Sequence, residues 1–350
     1  MGDELRVGLI GYGYAGRTFH APVITTVPGL KLVKVVQRSG TSSKVRYPWV
    51  EVVDHVQELY RDDTIDLIVV TTPSTDHYEF VKDALLAGKH VIVEKPFTVT
   101  AGEADRLIAL TKEQGKVLSV FHNRRWDGDF LTVREIVRKD LLGRISEAEF
   151  CWDSYRPTVG ANWRDSDSPG AGVFYDLGVH LLDQALTLFG MPATIDAEIR
   201  AIRDNAVASD YFNVVLGYED GLRIRIKSSP LVREHGPRYV LHGTQGSFVK
   251  YGTDPQEKAL IDGETPLKPN WGVEPETMWG TLNTSIAGLH YVGRVRTIPG
   301  SYTSYFQNVY DAITGRTELE VKPEQARMAI RMIELGIMSS YERRTVEVTP

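Results

Sequence analysis

Short apolar runs alternate with amphipathic segments along the first third of the chain. LRVGLI (5–10), LKLVKVV (30–36), IDLIVVTT (65–72), HVIVEKP (90–96) and KVLSVFH (116–122) have the length and β-branched content of buried strands. Between them HYEFVKDALLAG (77–88) has helical spacing and stops at a glycine, and a second helix is predicted over about 100–114. Alternating strands and helices with short connections predict a parallel sheet with helices on both faces, a doubly wound α/β arrangement. Four strand ends carry glycine or polar residues: GYGYAG, Thr71–Ser74, Glu94–Lys95 and His122–Arg125. Ligands of such sheets bind beyond that edge.

Past about residue 124 the texture changes. FLTVREIVRKDLLG (130–143) reads as a helix, and strand-like runs follow at 145–152, 193–203, 210–218, 222–229 and 238–244. YEDG (218–221) marks a hairpin, since Asp-Gly suits a primed turn. Leu222, Ile224 and Ile226 alternate with Arg223, Arg225 and Lys227, the mark of a sheet with one solvated or partner-covered face. Residues 252–300, rich in Gly, Pro and Thr, carry no pattern that assigns them, and 323–344 has the spacing of a packing helix. The expected division is a dinucleotide-binding domain over 1–123 and an α/β domain over 124–350, the latter built on a large, mostly antiparallel open sheet.

A chain of 350 residues is long enough for two cores. The net charge of -6 without any basic block argues against nucleic acid as a partner. Cys151 is the sole cysteine, so neither an internal disulfide nor a cysteine metal cage can form. The start MGDELRVGLIG has acids where a signal peptide needs bases, and no run approaches the roughly 20 apolar residues of a membrane span. A cytoplasmic protein with no membrane partner is expected.

GYGYAG places Gly11, Gly13 and Gly16 at the three glycine positions of G-x-G-x-x-G, with Tyr12, Tyr14 and Ala15 between them. The first glycine permits the tight turn, the second lets backbone approach a pyrophosphate, and the third lets the helix pack on the strand. An NAD enzyme usually ends its second strand with an acid that accepts from the ribose 2′-hydroxyl. Here VVQRSGTSSK has none from Gln37 to Lys44, while Arg38 can pair with a 2′-phosphate and Ser39, Ser42 and Ser43 can donate to it. NADP is therefore the expected cofactor, with NAD possible.

FYDLGVHLLDQAL (174–186) carries Asp176, His180 and Asp183 at i, i+4 and i+7, one face of a helix. Such a stripe is a solvated face, a metal site, a buried histidine satisfied by Asp176, or a catalytic acid–base set. Zinc normally asks for a third good ligand and more than one His at such spacing. VEKPF (93–97) sets Lys95 directly before Pro96, which restricts it to extended backbone.

GYGYAG, EKP and GAGVFYDLGVHLLD, in this order and spacing, resemble the Gfo/Idh/MocA oxidoreductases. FHNRRWDGDF (121–130) and the acid-free second strand are most similar to the NADP-dependent inositol dehydrogenases of that family, including those acting on scyllo-inositol. The resemblance implies an N-terminal Rossmann domain, hydride exchange with a cyclic polyol or sugar, and Lys95, Asp176 and His180 as catalytic and substrate-binding residues. It implies cofactor contacts from the glycine loop, Thr72, Pro73, His77, Glu94, Lys95 and Asn123. It puts Trp163 and Arg164 of the long loop YRPTVGANWRDSDSPGAG (155–172) near cofactor or substrate, beside Trp126 and Tyr155 as substrate-pocket residues, and association into dimers or tetramers through the second sheet. No metal is expected. An aldose or other sugar dehydrogenase, a glycosidase using bound NAD, and a non-catalytic NAD(P) sensor are the alternatives; joint retention of Lys95, Asp176 and His180 argues against the sensor.

Overall fold

Every strand of the first third is parallel to its neighbours. The computed structural model describes residues 4–160 and 165–349, which fall into two compact units. In the first, β1 (Leu5–Ile10), β2 (Leu30–Val36), β3 (Glu51–Val53), β4 (Leu67–Val70), β5 (His90–Val93) and β6 (Leu118–Val120) lie in the order β3-β2-β1-β4-β5-β6. This is the doubly wound order of dinucleotide-binding folds. β4 is buried at every position, as a strand covered on both faces must be. The connecting helices are α1 (Ala21–Ile24), α2 (Ser42–Arg46), α3 (Gln57–Tyr60), α4 (Ser74–Leu86) and α5 (Ala101–Gln114). A capping box closes the start of α5: Glu103 N donates to Thr100 Oγ1 at 3.2 Å, and Thr100 N to Glu103 Oε2 at 3.1 Å.

The second unit is built on nine strands: β7 (Ile145–Cys151), β8 (Thr194–Arg200), β9 (Tyr211–Gly217), β10 (Arg223–Ser228), β11 (Tyr239–Gly243), β12 (Gly246–Lys250), β13 (Gly280–Ile286), β14 (Leu289–Val295) and β15 (Val346–Glu347). Their order is β14-β13-β12-β11-β7-β10-β9-β8-β15, antiparallel except for the β7–β10 pair. Phe150, Phe212, Val214, Leu216, Ile224, Ile226, Leu241 and Phe248 are buried on one face. On the other face Arg225 stands over Glu149 at 3.2 Å. Helices α6 (Gly128–Arg138) and α7 (Val179–Phe189) belong to this unit. α6 stops short of the expected Gly143, because the chain turns into left-handed backbone at Asp140. The YEDG hairpin is also not a primed turn. Only Gly221 has positive φ (+91°), so it is an ordinary turn followed by a glycine bulge.

The sequence pattern suggests a single cut after residue 123. The first unit instead runs on to Trp126 and also takes in Pro255–Trp271 and Ser301–Arg327. These segments hold α8 (Gln256–Ile261) and α9 (Tyr302–Ile313); the long α10 (Pro323–Glu342) begins at the end of the second of them. The arginines of HNRRW fasten both returns. Arg124 donates to Tyr302 Oη at 2.9 Å and pairs with Glu257, while Arg125 donates to Glu320 O and Gln325 Oε1 at 3.2 and 3.0 Å.

Candidate active site

β1 is followed by Gly11, whose φ of +94° belongs to the left-handed region that glycine tolerates. A Cβ on Gly16 would lie 2.3 Å from the carbonyl oxygen of Gly11, so the helix can approach the strand end only without one. Among the described residues, a Cβ on Gly13 would meet nothing within 4 Å. Gly13 therefore borders open space, as a loop admitting a pyrophosphate must. The helix begins at Tyr14, directly after this loop. Tyr12 and Ala15 are half-buried, and Tyr14 is exposed against the edge of Phe19. Thr71 Oγ1 secures the loop by donating to the carbonyls of Ile10 and Gly11 at 2.9 Å. These residues fit a dinucleotide.

At the end of β2 the residue in the acid's position, Gln37, is turned inward. Its Oε1 accepts from Ser43 N at 3.0 Å and from Ser43 Oγ, and its Nε2 donates to Ser42 Oγ at 3.0 Å. Gln37 thereby caps α2 and removes Ser43 from the ligand set, since Ser43 is fully buried. Arg38 and Ser39 point the other way and are exposed. Among the described residues no hydrogen bond or ion pair engages the Arg38 guanidinium.

Lys95 follows β5, half-buried, with a cis bond to Pro96. Its backbone N donates to Glu94 Oε2 at 3.0 Å, and the other carboxylate oxygen accepts from His20 Nε2 at 2.8 Å. Burial opposes the charge on Glu94. The His20 hydrogen bond, with the charges of His20, Lys95 and His77, nonetheless holds its carboxyl below the usual range. His77 is buried with its ring between carbonyls, Nε2 facing Thr72 O at 3.0 Å and Nδ1 facing Pro96 O at 2.8 Å. Burial lowers its pKa, against these backbone hydrogen bonds.

The family resemblance implies that Glu94 and His77 touch the cofactor. The structure turns both inward, because a carboxylate and an imidazole buried beside strand ends must find partners in the protein. Thr72 is half-buried, Pro73 exposed and Asn123 buried, all at the carboxyl edge of the sheet. Trp126 is also enclosed: 5% exposed, edge-on to Tyr305, with its carbonyl accepting from Ser301 N. That is a core anchor and not an open pocket wall.

In the second unit Asp176 and His180 straddle a change of helix type. Phe174–Gly178 is a π-helical turn and α7 follows from Val179, so the stripe is bent where a plain α-helix would keep it straight. Single π turns recur at functional sites because the extra residue re-aims a side chain. Gly178 is glycine because a Cβ would sit 2.4 Å from the Phe174 ring. Asp176 is half-buried, while His180 and Asp183 are buried. The Trp152 ring lies 6.1 Å from that of His180, and the Arg238 guanidinium covers Trp152 at 4.0 Å. Tyr155 is exposed under the Arg233 guanidinium at 4.2 Å. Trp163 and Arg164 lie outside the described residues. Among the described residues no group of three or more His, Cys, Asp or Glu could hold a metal ion.

Family models match both halves: the NAD-binding Rossmann fold of the oxidoreductase family over residues 5–122, and its C-terminal alpha/beta domain over 134–348. The chain belongs to the Gfo/Idh/MocA oxidoreductase family. It is an enzyme with a nicotinamide-cofactor domain. It is 44% identical to the Escherichia coli oxidoreductase YdgJ over 347 residues, 99% of each chain. It is 38% identical to the Bacillus subtilis scyllo-inositol 2-dehydrogenase (NADP(+)) IolW over 344 residues, 98% of this chain and 96% of that one. Among solved structures, the Bacillus subtilis oxidoreductase YvaA superposes with a TM-score of 0.96 at 38% identity, covering 100% of this chain and 99% of that one.

Two residues of this family member escape the sequence pattern. His20 follows the glycine motif and reads as part of an ordinary helix; only the fold carries it to Glu94, 74 positions later. Gln37 is visible in the sequence as a missing acid, but its cap on Ser43 depends on how α2 begins.

Proposed function

We propose that the protein exchanges a hydride between NADP(H) and a secondary hydroxyl of a cyclic polyol, with scyllo-inositol as the leading substrate. The observation that carries the cofactor choice is the exposed, unengaged Arg38 beside an inward-facing Gln37. A carboxylate there would repel a 2′-phosphate, whereas a guanidinium grips it in two parallel hydrogen bonds. The substrate class is supported by similarity to IolW over nearly the whole chain.

Bound nicotinamide supplies the hydride acceptor at the carbinol carbon. The chain must take the proton from the same hydroxyl. In this reading His180 takes it, as imidazole is suited to do near neutrality. Lys95 donates to the same oxygen and stabilises developing alkoxide charge. Asp176, four residues before His180, orients the ring or holds a neighbouring hydroxyl.

Arg38→Asp is the test. A charge-assisted contact contributes about 1.5–3 kcal/mol, so NADPH affinity should fall by at least about tenfold while NADH affinity changes little. An unchanged ratio, measured by fluorescence titration of both cofactors, would remove the NADP assignment.

A further inference from the structure

The first unit contains a buried histidine–carboxylate pair for which packing gives no reason. His20 is wholly buried and Glu94 nearly so, 2.8 Å apart. Apolar residues of similar volume at such a place are commonly as stable or more so, so a pair like this points to a specific geometry and not to stability alone. The carboxylate can only accept, so Nε2 of His20 carries the hydrogen. The ring is held by Phe121, at 4.2 Å between centroids, and by Phe306, at 5.8 Å and edge-on. Its helix leaves little freedom either, because Gly16–His20 is a π-helical turn that ends on His20 itself. Such turns re-aim one side chain out of the α-helical register.

The geometry points to His20 as a positioning residue: through Glu94 it fixes the backbone of Lys95, and with it the direction in which the lysine side chain leaves the strand end. Glu94 Oε1 is held by His20, which leaves Oε2 aimed at Lys95 N at 3.0 Å. On the other side of Lys95, the carbonyl of Pro96 faces His77 Nδ1 at 2.8 Å, and His77 Nε2 faces Thr72 O at 3.0 Å. Lys95 is thus held at its own N–H and at the following carbonyl. The His20 arm begins on the helix that follows the glycine loop, and the His77 arm reaches the loop after β4. The two loops that would line the cofactor thus meet the residues flanking Lys95, through His20 and Glu94 on one side and through His77 on the other, whose neutral ring has one N–H to give to Pro96 O or Thr72 O. No proton or electron moves through these contacts. His20 sets direction, and Lys95 touches the substrate.

This inference rests on the reading of Lys95 as a catalytic group, so the experiment separates the two. Steady-state NADP reduction by scyllo-inositol is measured for Lys95→Met, His20→Leu, His20→Gln and the double variant His20→Leu/Glu94→Leu. Thermal melting and NADPH fluorescence titration accompany each. Misplacing a reacting group by about 1 Å can cost about 10²-fold in rate. His20→Leu and the double variant should therefore lose about 10–100-fold in kcat, with the KM for scyllo-inositol and the NADPH Kd within about threefold of the parent. His20→Gln, whose amide N–H can reach the same carboxylate, should recover most of that loss. If His20→Leu and the folded double variant turn over like the parent while Lys95→Met is inactive, the positioning role is overturned. It is overturned equally if His20→Gln is no better than His20→Leu at equal melting temperature. Full activity in Lys95→Met would overturn instead the catalytic reading on which the inference stands.

Discussion

Gly13 and Gly16 sit in one loop under opposite constraints. At Gly16 an added methyl would run into the Gly11 carbonyl, a backbone atom that cannot step aside. At Gly13 there is nothing among the described residues for it to meet, and φ is not in the left-handed range. Gly16→Ala should therefore lower stability by about 1–3 kcal/mol, the usual range for overpacking. Gly13→Val should melt with the parent yet weaken NADPH binding by at least about tenfold, because its side chain fills the space the pyrophosphate needs. Melting curves and cofactor titration of the two variants check this. Equal loss of stability in both would mean that the loop is shaped for folding alone. Both glycines are legible in the sequence, because the spacing G-x-G-x-x-G states the geometry directly. Glu94 and His77 are legible only as polar residues near a strand end. Which way such a side chain turns depends on partners supplied by distant segments, His20 among them.

Elements are read best where period and length agree. β2 runs from Leu30 to Val36, as the pattern LKLVKVV predicts, and the helix expected over about 100–114 is found at Ala101–Gln114. Residues 252–300 give no such agreement. They hold α8, of six residues, and the hairpin β13–β14, whose outer strand is exposed at Leu289, Tyr291 and Val292 alike. A strand buried on neither face has no alternation to read. The π turns at Gly16–His20 and Phe174–Gly178 are equally hidden, since neither propensity nor hydrophobic spacing signals one inserted residue. At this scale pH dependence has a clear origin in β5. His90 Nδ1 accepts from Val117 N at 3.0 Å, joining the strand's first residue to the lead-in of β6. Burial, helped by the charge of Lys116, pushes its pKa from 6.5 to about 4. A lowered histidine pKa favours the neutral form, so this contribution is complete above about pH 6.5 and is lost as pH falls through about 4. After allowance for partial solvent screening, the loss should be about 1–2 kcal/mol. His90→Asn keeps an acceptor but cannot titrate, so its melting temperature should fall less steeply between pH 6.5 and 4. Parallel curves for variant and parent would place the acid sensitivity elsewhere.

For the molecule as a whole, composition and alternation are enough for two domains of different texture, but not for the path between them. The first unit is completed by α8 and α9, which come after more than a hundred residues of the second. Arg124 and Arg125 are the residues that fasten these returns, through Tyr302, Glu257, Glu320 and Gln325. In the sequence they look like a basic pair at a strand end, one more candidate for the ligand crevice. Long-range ion pairs cannot be seen in a one-dimensional pattern, because they depend on which later segment returns. Among the described residues no helix is long and apolar enough to cross a membrane. The candidate residues are divided between the units, Lys95 in the first and Asp176 with His180 in the second. The most direct test is to follow the reduced-nicotinamide absorbance band while the purified protein is offered NADP or NAD with a panel of inositol isomers and aldoses. Reduction of NADP by scyllo-inositol, faster than with the other polyols and much faster than with NAD, is the predicted result. Tight NADPH binding with no reduction by any cyclic polyol would contradict it.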